Sequence, residues 1–451
     1  MFMKDKIKIC KYLVPIFETP PGTGSWFGYY NYDTLNHDQS KMLSNRTQND
    51  AKKIEKGMTI EVGYYDIPSR EWHHIGESDS YNWPQGAMLQ WMPGKRNENK
   101  VIYNTSNGIH NIAKIFDIVT QEEKTIDWSI YGLTPDGTKS ISLQFERSHW
   151  CRAYHYESVD DVKYDGRIFE EDGIFEIDLQ NNTRKRIISI QQIIDIDKEL
   201  YFDKAKHWLE HIMISPFGKR FCFLHRFTIG ELDEYETRLF VANIDGTNLQ
   251  LIDGWRNFYW SHFGWNGDDA FTIYSYKSNK HNLVLSRLNS ISDDKKVKKI
   301  AINNKQYYKN LYELIPEYLK SRIKRFIKGP TTYYQYYKCG NNGFMLADNF
   351  TNLLFDIDGH PSFTNDKKYM ITDTYPDNNL YRRLIVYNIE TRKALLLGKF
   401  YAGLYNKPGT CDLHPKLCKD NNYLAIDTAY DGQHHMLLFE IDWKLVNEII
   451  G

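Results

Sequence analysis

One unit recurs seven times along this chain, and it leaves few folds open: an apolar strand, a tight polar turn, a second apolar strand, a loop, then a strand pair joined by another polar turn. The first turn falls at Asn36 to Ser40, Met92 to Lys95, Thr134 to Gly137, Ser215 to Gly218, Asn266 to Asp269, Thr364 to Lys367 and Cys418 to Asn421. Thr134-Pro135-Asp136-Gly137 shows its chemistry best, with Pro and Asp-Gly supplying the turn geometry. The third strand alternates apolar and polar residues, as in Ile115-Phe116-Asp117-Ile118, Val284-Leu285-Ser286-Arg287 and Phe439-Glu440-Ile441-Asp442. Units of this kind, mostly about 45 to 80 residues apart, predict an all-β chain folded as a seven-bladed β-propeller.

The seventh unit lacks a fourth strand, and residues Ile7 to Phe17 are expected to supply it and close the ring. Asn304 to Phe326 has near-helical apolar spacing, so a small helical insertion, about residues 304–345, is expected between blades 5 and 6. The whole chain, 1–451, reads as one propeller domain.

The bulk numbers exclude several functions. Lys plus Arg number 57 against 58 Asp plus Glu, so no bulk attraction to nucleic acid or membrane is expected. The six cysteines are scattered, without a Cys-x-x-Cys pair, and read as reduced thiols. Met1 to Phe17 carries Lys6, Lys8 and Lys11 inside its apolar stretch and makes a poor signal peptide. A soluble, cytoplasmic protein is expected.

Four histidines return at one position of the repeat. His211, His262, His360 and His414 each stand four residues before a first turn. They begin innermost strands, so they are expected on the long-loop face around the central channel. Imidazole binds metals and moves protons near neutral pH. The same histidines can equally be structural hydrogen-bonders that tie strands together. Asp412 lies two residues before His414, which puts both on one side of a strand and makes a fair pair of metal ligands. Arg147, Arg152, Tyr156 and Arg382 lie in or beside the long loops; arginine forks suit carboxylates, and tyrosine faces suit sugar rings. That loop cluster also reads as a salt-bridged structural lid. Sialidase-type repeats and a Gly-x-Ser-x-Gly elbow are both missing, which counts against a hydrolase.

Gly28-Tyr29-Tyr30, Trp83 to Trp91, Ser261-His262-Phe263, Gly359 to Phe363, Thr372 to Asp377 and Cys411 to Pro415 resemble segments of seven-bladed polysaccharide lyases, the oligogalacturonate lyases and short ulvan lyases. The resemblance implies β-elimination in a uronate-containing glycan. From the oligogalacturonate lyases it implies a divalent metal (manganese, zinc or calcium) on channel histidines and a glutamine, with another histidine as base. His360 and His414 match that pattern, whereas the family's His-x-His is here Asp412-x-His414. From the ulvan lyases it implies paired histidines, a tyrosine and an arginine, for which His207 or His211 with His225 are nearest. The resulting expectation has His211 as base, His207, His225 and Arg226 in the catalytic set, and His262, His360, Asp412 and His414 on a metal. The partner is an acidic oligosaccharide. The alternative is a non-catalytic propeller that binds acidic glycans or a protein partner in surface-polysaccharide metabolism.

Overall fold

The computed structural model describes residues 5–152, 156, 161–230, 235–278 and 332–451. These form seven antiparallel sheets, five of them meanders of consecutive strands and two completed by an amino-terminal strand. Blade 1 runs from Gly24–Trp26 to Trp72–Ser78, blade 2 from Gln90–Trp91 to Glu123–Ile126, and blade 3 from Gly132–Leu133 to Thr183–Ser189. Blade 4 comprises Lys206–Ile214, Arg220–Thr228, Glu236–Asn243 and Gln250–Leu251. First strands of successive blades neighbour one another, as Phe258–Trp265 does Ser362–Phe363, so they line the axis. The fold is a seven-bladed β-propeller.

The repeated turn explains why the strands start where they do. Thr134 Oγ1 donates to Asp136 at 2.6 Å while Gly137 N–H donates back to Thr134 at 2.8 Å. In blade 6, Thr364, Asp366 and Lys367 make the same pair of bonds at 2.6 and 2.8 Å. Gly137 has φ +68°, and a Cβ there would sit 2.2 Å from the Pro93 carbonyl oxygen of the neighbouring turn. Only glycine lets the turns of blades 2 and 3 pack this closely.

Two details differ from the sequence reading. Thr332–Gly340 and Gly343–Phe350 are the third and fourth strands of blade 5, paired on Ala270–Lys277. The long connection from 278 to 332 therefore falls within blade 5, between its second and third strands, and the end of the expected 304–345 insertion is strand. The helix expected over 304–326 and the strand at Val284 to Arg287 lie outside the described residues. Tyr-rich sequence favours strand here, and Tyr334, Tyr336 and Tyr337 are buried in it.

The amino-terminal segment also divides. Leu13–Glu18 pairs with His435–Ile441 and completes blade 7, whereas Ile7–Ile9 pairs with Ala394–Tyr401 as a fifth strand of blade 6. The ring is thus laced across two blades. No helix among the described residues is long and apolar enough to cross a membrane.

Asp427 adds a buried clasp. Its carboxylate accepts Phe27 N–H and Gly28 N–H, both at 3.0 Å, and pairs with Lys416 Nζ at 2.9 Å. Asp427→Ala removes the partner of a buried ammonium and is expected to cost about 3–5 kcal/mol in urea denaturation. Asp427→Ala with Lys416→Met is expected to recover part of that loss; a double variant as unstable as the single one would show that the ion pair is not the clasp.

Candidate functional site

The site begins with a break in the ladders. In blade 4 the register shifts between Glu210 and Met213, and in blade 5 between Trp260 and Phe263. His211 and His262 occupy these breaks. His360 and His414 stand just ahead of the two-residue first strands of blades 6 and 7. His211 and His414 take φ of +55° and +44°, a left-handed backbone that swings the side chain out of the sheet's alternation. The rings form one arc, with centroid separations of 6.3 Å from His211 to His262, 4.0 Å from His262 to His360 and 4.2 Å from His360 to His414.

Blade 1 closes the arc with Tyr29 and Tyr30. Gly28 has φ +110°, and a Cβ there would lie 2.5 Å from the backbone of Gln85, so the chain turns here only with glycine. Tyr30 OH donates to the Phe263 carbonyl at 2.6 Å, and its ring centre lies 5.1 Å from that of His360.

Hydrogen bonds set the tautomers. His360 Nδ1 lies 2.8 Å from Asp373 Oδ1, a pure acceptor, so Nδ1 carries the proton and Nε2 presents its lone pair. That Nε2 is buried and has no hydrogen-bond partner. His414 Nδ1 donates to the Gly28 carbonyl at 2.8 Å, so its Nε2 carries the lone pair and lies 4.0 Å from Asp412 Oδ2. Donor atoms of His360, Asp412 and His414 lie within 4.8 Å of one another. Free imidazole nitrogens backed by a carboxylate and a carbonyl are what a divalent metal requires, so these three residues fit one. His262 is similarly backed, its Nδ1 donating to Asp358 at 3.2 Å.

Arg382 stands beside this set. Its Nη1 is 2.5 Å from Asp412 Oδ1, and the guanidinium is 2% exposed. The contact is ionic without hydrogen-bond alignment: Nε, Nη1 and Nη2 are all buried and unsatisfied. At the other end of the arc, Glu210 Oε2 lies 3.3 Å from His211 Nε2 and 3.0 Å from Arg226 Nε, while Trp208 Nε1 donates to Oε1 at 2.6 Å. Glu210 thus takes the Nε2 proton of His211, and His211 Nδ1 accepts from Tyr29 OH at 2.6 Å.

Burial dominates the titration of the arc. It depresses His211 to about 4 despite Glu210, and pushes His360 and His414 well below the usual imidazole range. Burial also acts to lower His262, but Asp358, Asp412 and Asp373 outweigh it and raise that ring. Burial raises Asp373 and Asp412.

The other expected site residues lie elsewhere. His207 and His225 are wholly buried and stacked, with 3.0 Å between His207 Nδ1 and His225 Nε2. His207 Nε2 donates to the Phe202 carbonyl at 2.8 Å, so His225 donates to His207 and Arg238 reaches His225 Nδ1 at 3.4 Å. Phe202 and Phe227 pack around the pair. The pair lies packed within blade 4, and among the described residues neither ring contacts the four imidazoles of the arc. Arg147 donates to the carbonyls of His207, Tyr164, Gly166 and Arg167, which ties the blade 3 loop down and leaves no fork for a substrate. Tyr156 is buried and donates to Gln85 Oε1 at 2.7 Å. The side chain of Arg152 lies outside the described residues. Arg226 belongs to the His211 end of the arc through Glu210. Sequence reasoning missed Glu210, Asp358 and Asp373 as partners of the imidazoles; an acidic neighbour one or two residues from a repeated His, as in Glu210-His211 and Asp358-Gly359-His360, was the available signal.

The chain matches no protein-family model and no curated protein. Solved structures do match. An oligogalacturonate lyase in complex with manganese aligns over 97% of this chain and 96% of its own, at 14% identity and a TM-score of 0.60. A second oligogalacturonate lyase, from Vibrio parahaemolyticus, aligns over 95% and 93% at 14% identity and a TM-score of 0.56. The fold is that of the oligogalacturonate lyases. At such low identity the likeness speaks for the architecture, and the chemistry must be argued from this chain's own side chains.

Asp373→Asn tests the metal reading. Loss of the carboxylate behind His360 is expected to weaken manganese binding roughly 10- to 100-fold in calorimetry. Equal affinity in the variant would mean that His360 is not a ligand.

Proposed function

We propose that this propeller is a lyase that cleaves uronate-containing oligosaccharides by β-elimination. The C5–H bond breaks, its electron pair becomes the C4=C5 double bond, the C4–O bond breaks, and the leaving oxygen takes up a proton. The observation that carries this reading is Arg382, a buried guanidinium without an aligned acceptor, set beside imidazoles with free lone pairs. A buried cation left in this state calls for an anion from outside. A planar carboxylate matches its fork. The fold shared with proteins named oligogalacturonate lyase agrees with this substrate class.

The chemistry is hard because the proton beside a carboxylate is weakly acidic and its removal adds a second negative charge. Arg382 offsets that charge at the carboxylate. A divalent metal on His360, His414 and Asp412 would supply Lewis-acid stabilisation of the same charge. His211 is neutral at physiological pH because burial holds it near 4, so it can accept a proton. Tyr29 hydroxyl, 2.6 Å from His211 Nδ1, is placed to pass that proton between substrate and imidazole. Glu210 steadies the imidazolium that forms.

Purified protein incubated with uronate oligomers is expected to release an ultraviolet-absorbing unsaturated product. Tight binding of such oligomers without any product would replace this reading with that of a glycan-binding propeller. His211→Ala is expected to lower kcat by roughly 10² to 10⁴. Arg382→Met should raise KM as well as lower kcat, since the carboxylate loses its partner in both states.

The pH profile separates the candidate bases. A base depressed to about 4 is unprotonated at any pH above that value, so kcat/KM should hold as pH falls through the usual imidazole value and fail only near 4. An acid limb at or above the usual value would point instead to His262, which its carboxylates raise.

A further inference from the structure

A second concavity lies away from the histidine arc. A cavity of about 130 Å³ opens between blades 2 and 3, lined among others by Trp128, Ser129, Glu146, Tyr164, Glu171 and Arg184. Its rim is built from the connection between these blades and from the loop after the second strand of blade 3, Lys139–Ser142. Propeller topology puts both on the same face as the histidines. A water takes up roughly 30 Å³, so the space is that of about four solvent molecules.

Arg184 gives the cavity its chemistry. Its guanidinium carbon lies 4.1 Å from the ring centre of Trp128 and 4.2 Å from that of Phe175. Both rings pack against the guanidinium of this otherwise exposed side chain and restrain it. Among the described residues, no group makes a hydrogen bond or ion pair with the edge of Arg184. Glu146, the nearest buried carboxylate, is held by Asn111 N–H at 2.8 Å, Asn111 Nδ2 at 2.9 Å and Gln144 Nε2 at 2.7 Å. Those bonds pin Glu146 to the wall and leave it acceptor capacity for a hydroxyl.

The cavity and the arc share a partition. Phe145, next to Glu146, packs against Tyr131 and Tyr156. Gln85 donates to Tyr131 OH at 2.9 Å and accepts from Tyr156 OH at 2.7 Å. Gln85 is also the residue against which Gly28 turns the Tyr29-Tyr30 segment into the channel. The partition thus links the wall of the cavity to the segment that carries Tyr29 and Tyr30.

We propose that this cavity is a distal subsite for a uronate unit of a longer glycan, with the sugar carboxylate on the Arg184 fork, the ring edge against Trp128 and a hydroxyl on Glu146. It extends the lyase reading and rests on it: the cavity would set preference for chain length, while the arc performs the cleavage.

Arg184→Met tests this, since it keeps the apolar stem between the two rings and removes the fork. Kinetics are compared on a two-unit and a five-unit uronate oligomer. The expected result is a roughly ten-fold loss of kcat/KM on the five-unit oligomer with the two-unit value unchanged. Equal losses on both, or none on either, would overturn the subsite. Unchanged thermal unfolding in Arg184→Met, and partial recovery in Arg184→Lys, are expected alongside. If wild-type protein turns over no uronate oligomer, the lyase reading falls on its own, and the subsite is then decided by calorimetry with penta-galacturonate. A roughly ten-fold weaker Kd in Arg184→Met would support it, and an equal Kd would overturn it.

Discussion

Everything at the centre of this propeller depends on interrupting a strand that would otherwise pair along its whole length. A regular inner strand points alternate residues at its two packed faces and offers the axis only backbone. At His211 and His414 the backbone enters the left-handed region, and at His211 and His262 the ladder skips. A left-handed non-glycine residue costs of order 1 kcal/mol or more. That cost is accepted at one repeat position in blades 4 and 7, and both times the result is an imidazole that faces its neighbours around the axis. Gly28, held by Asp427 across the ring closure, brings Tyr29 and Tyr30 into the same space. The arc is therefore a property of the closed ring and not of any one blade.

The seven units were readable because turn chemistry and alternation repeat locally, within the reach of a few residues. The third strand of blade 5 was not readable at its true place. More than fifty residues separate Lys277 from Thr332, so spacing gave no guide, and a plausible alternating stretch nearer by took its role. The amino-terminal closure was half legible: the need for a fourth strand in blade 7 follows from the repeat, but the turn at Cys10 to Tyr12 that sends Ile7–Ile9 to blade 6 carries no strong turn residue. Repetition marked His211, His262, His360 and His414. It could not tell them from His207 and His225. Strict alternation puts His207 and His211 on one face of their strand; the break after Glu210 parts them, and His225 pairs across from Leu209 on the core side. A bulge is set by tertiary packing and leaves little trace in composition.

Arginine shows the same limit. Arg147, Arg226 and Arg382 look alike in sequence, each inside or beside a long-loop segment. Arg147 is saturated by backbone carbonyls and acts as a staple. Arg226 pairs with Glu210 and faces the Tyr235 ring at 4.3 Å. Arg382, buried beside the arc, is the one of the three whose Nε, Nη1 and Nη2 all lack an aligned acceptor. The difference between staple and anchor lies in whether acceptors reach the fork, and only coordinates supply that.

The charge inventory of the arc explains why cation and anion belong to it together. Asp358, Asp373 and Asp412 surround His262, His360 and His414, with Arg382 as the adjacent permanent cation. Buried carboxylates in excess are costly: burial raises Asp373 and Asp412, and the carboxylates lift His262 against its own burial. A divalent cation on His360, Asp412 and His414 would neutralise the same carboxylates. Asp412 would then be shared between that cation and Arg382, whose Nη1 lies 2.5 Å from it. Asp412 thus stands between the imidazoles of His360 and His414 on one side and the Arg382 guanidinium on the other, one carboxylate common to both ends of the cluster.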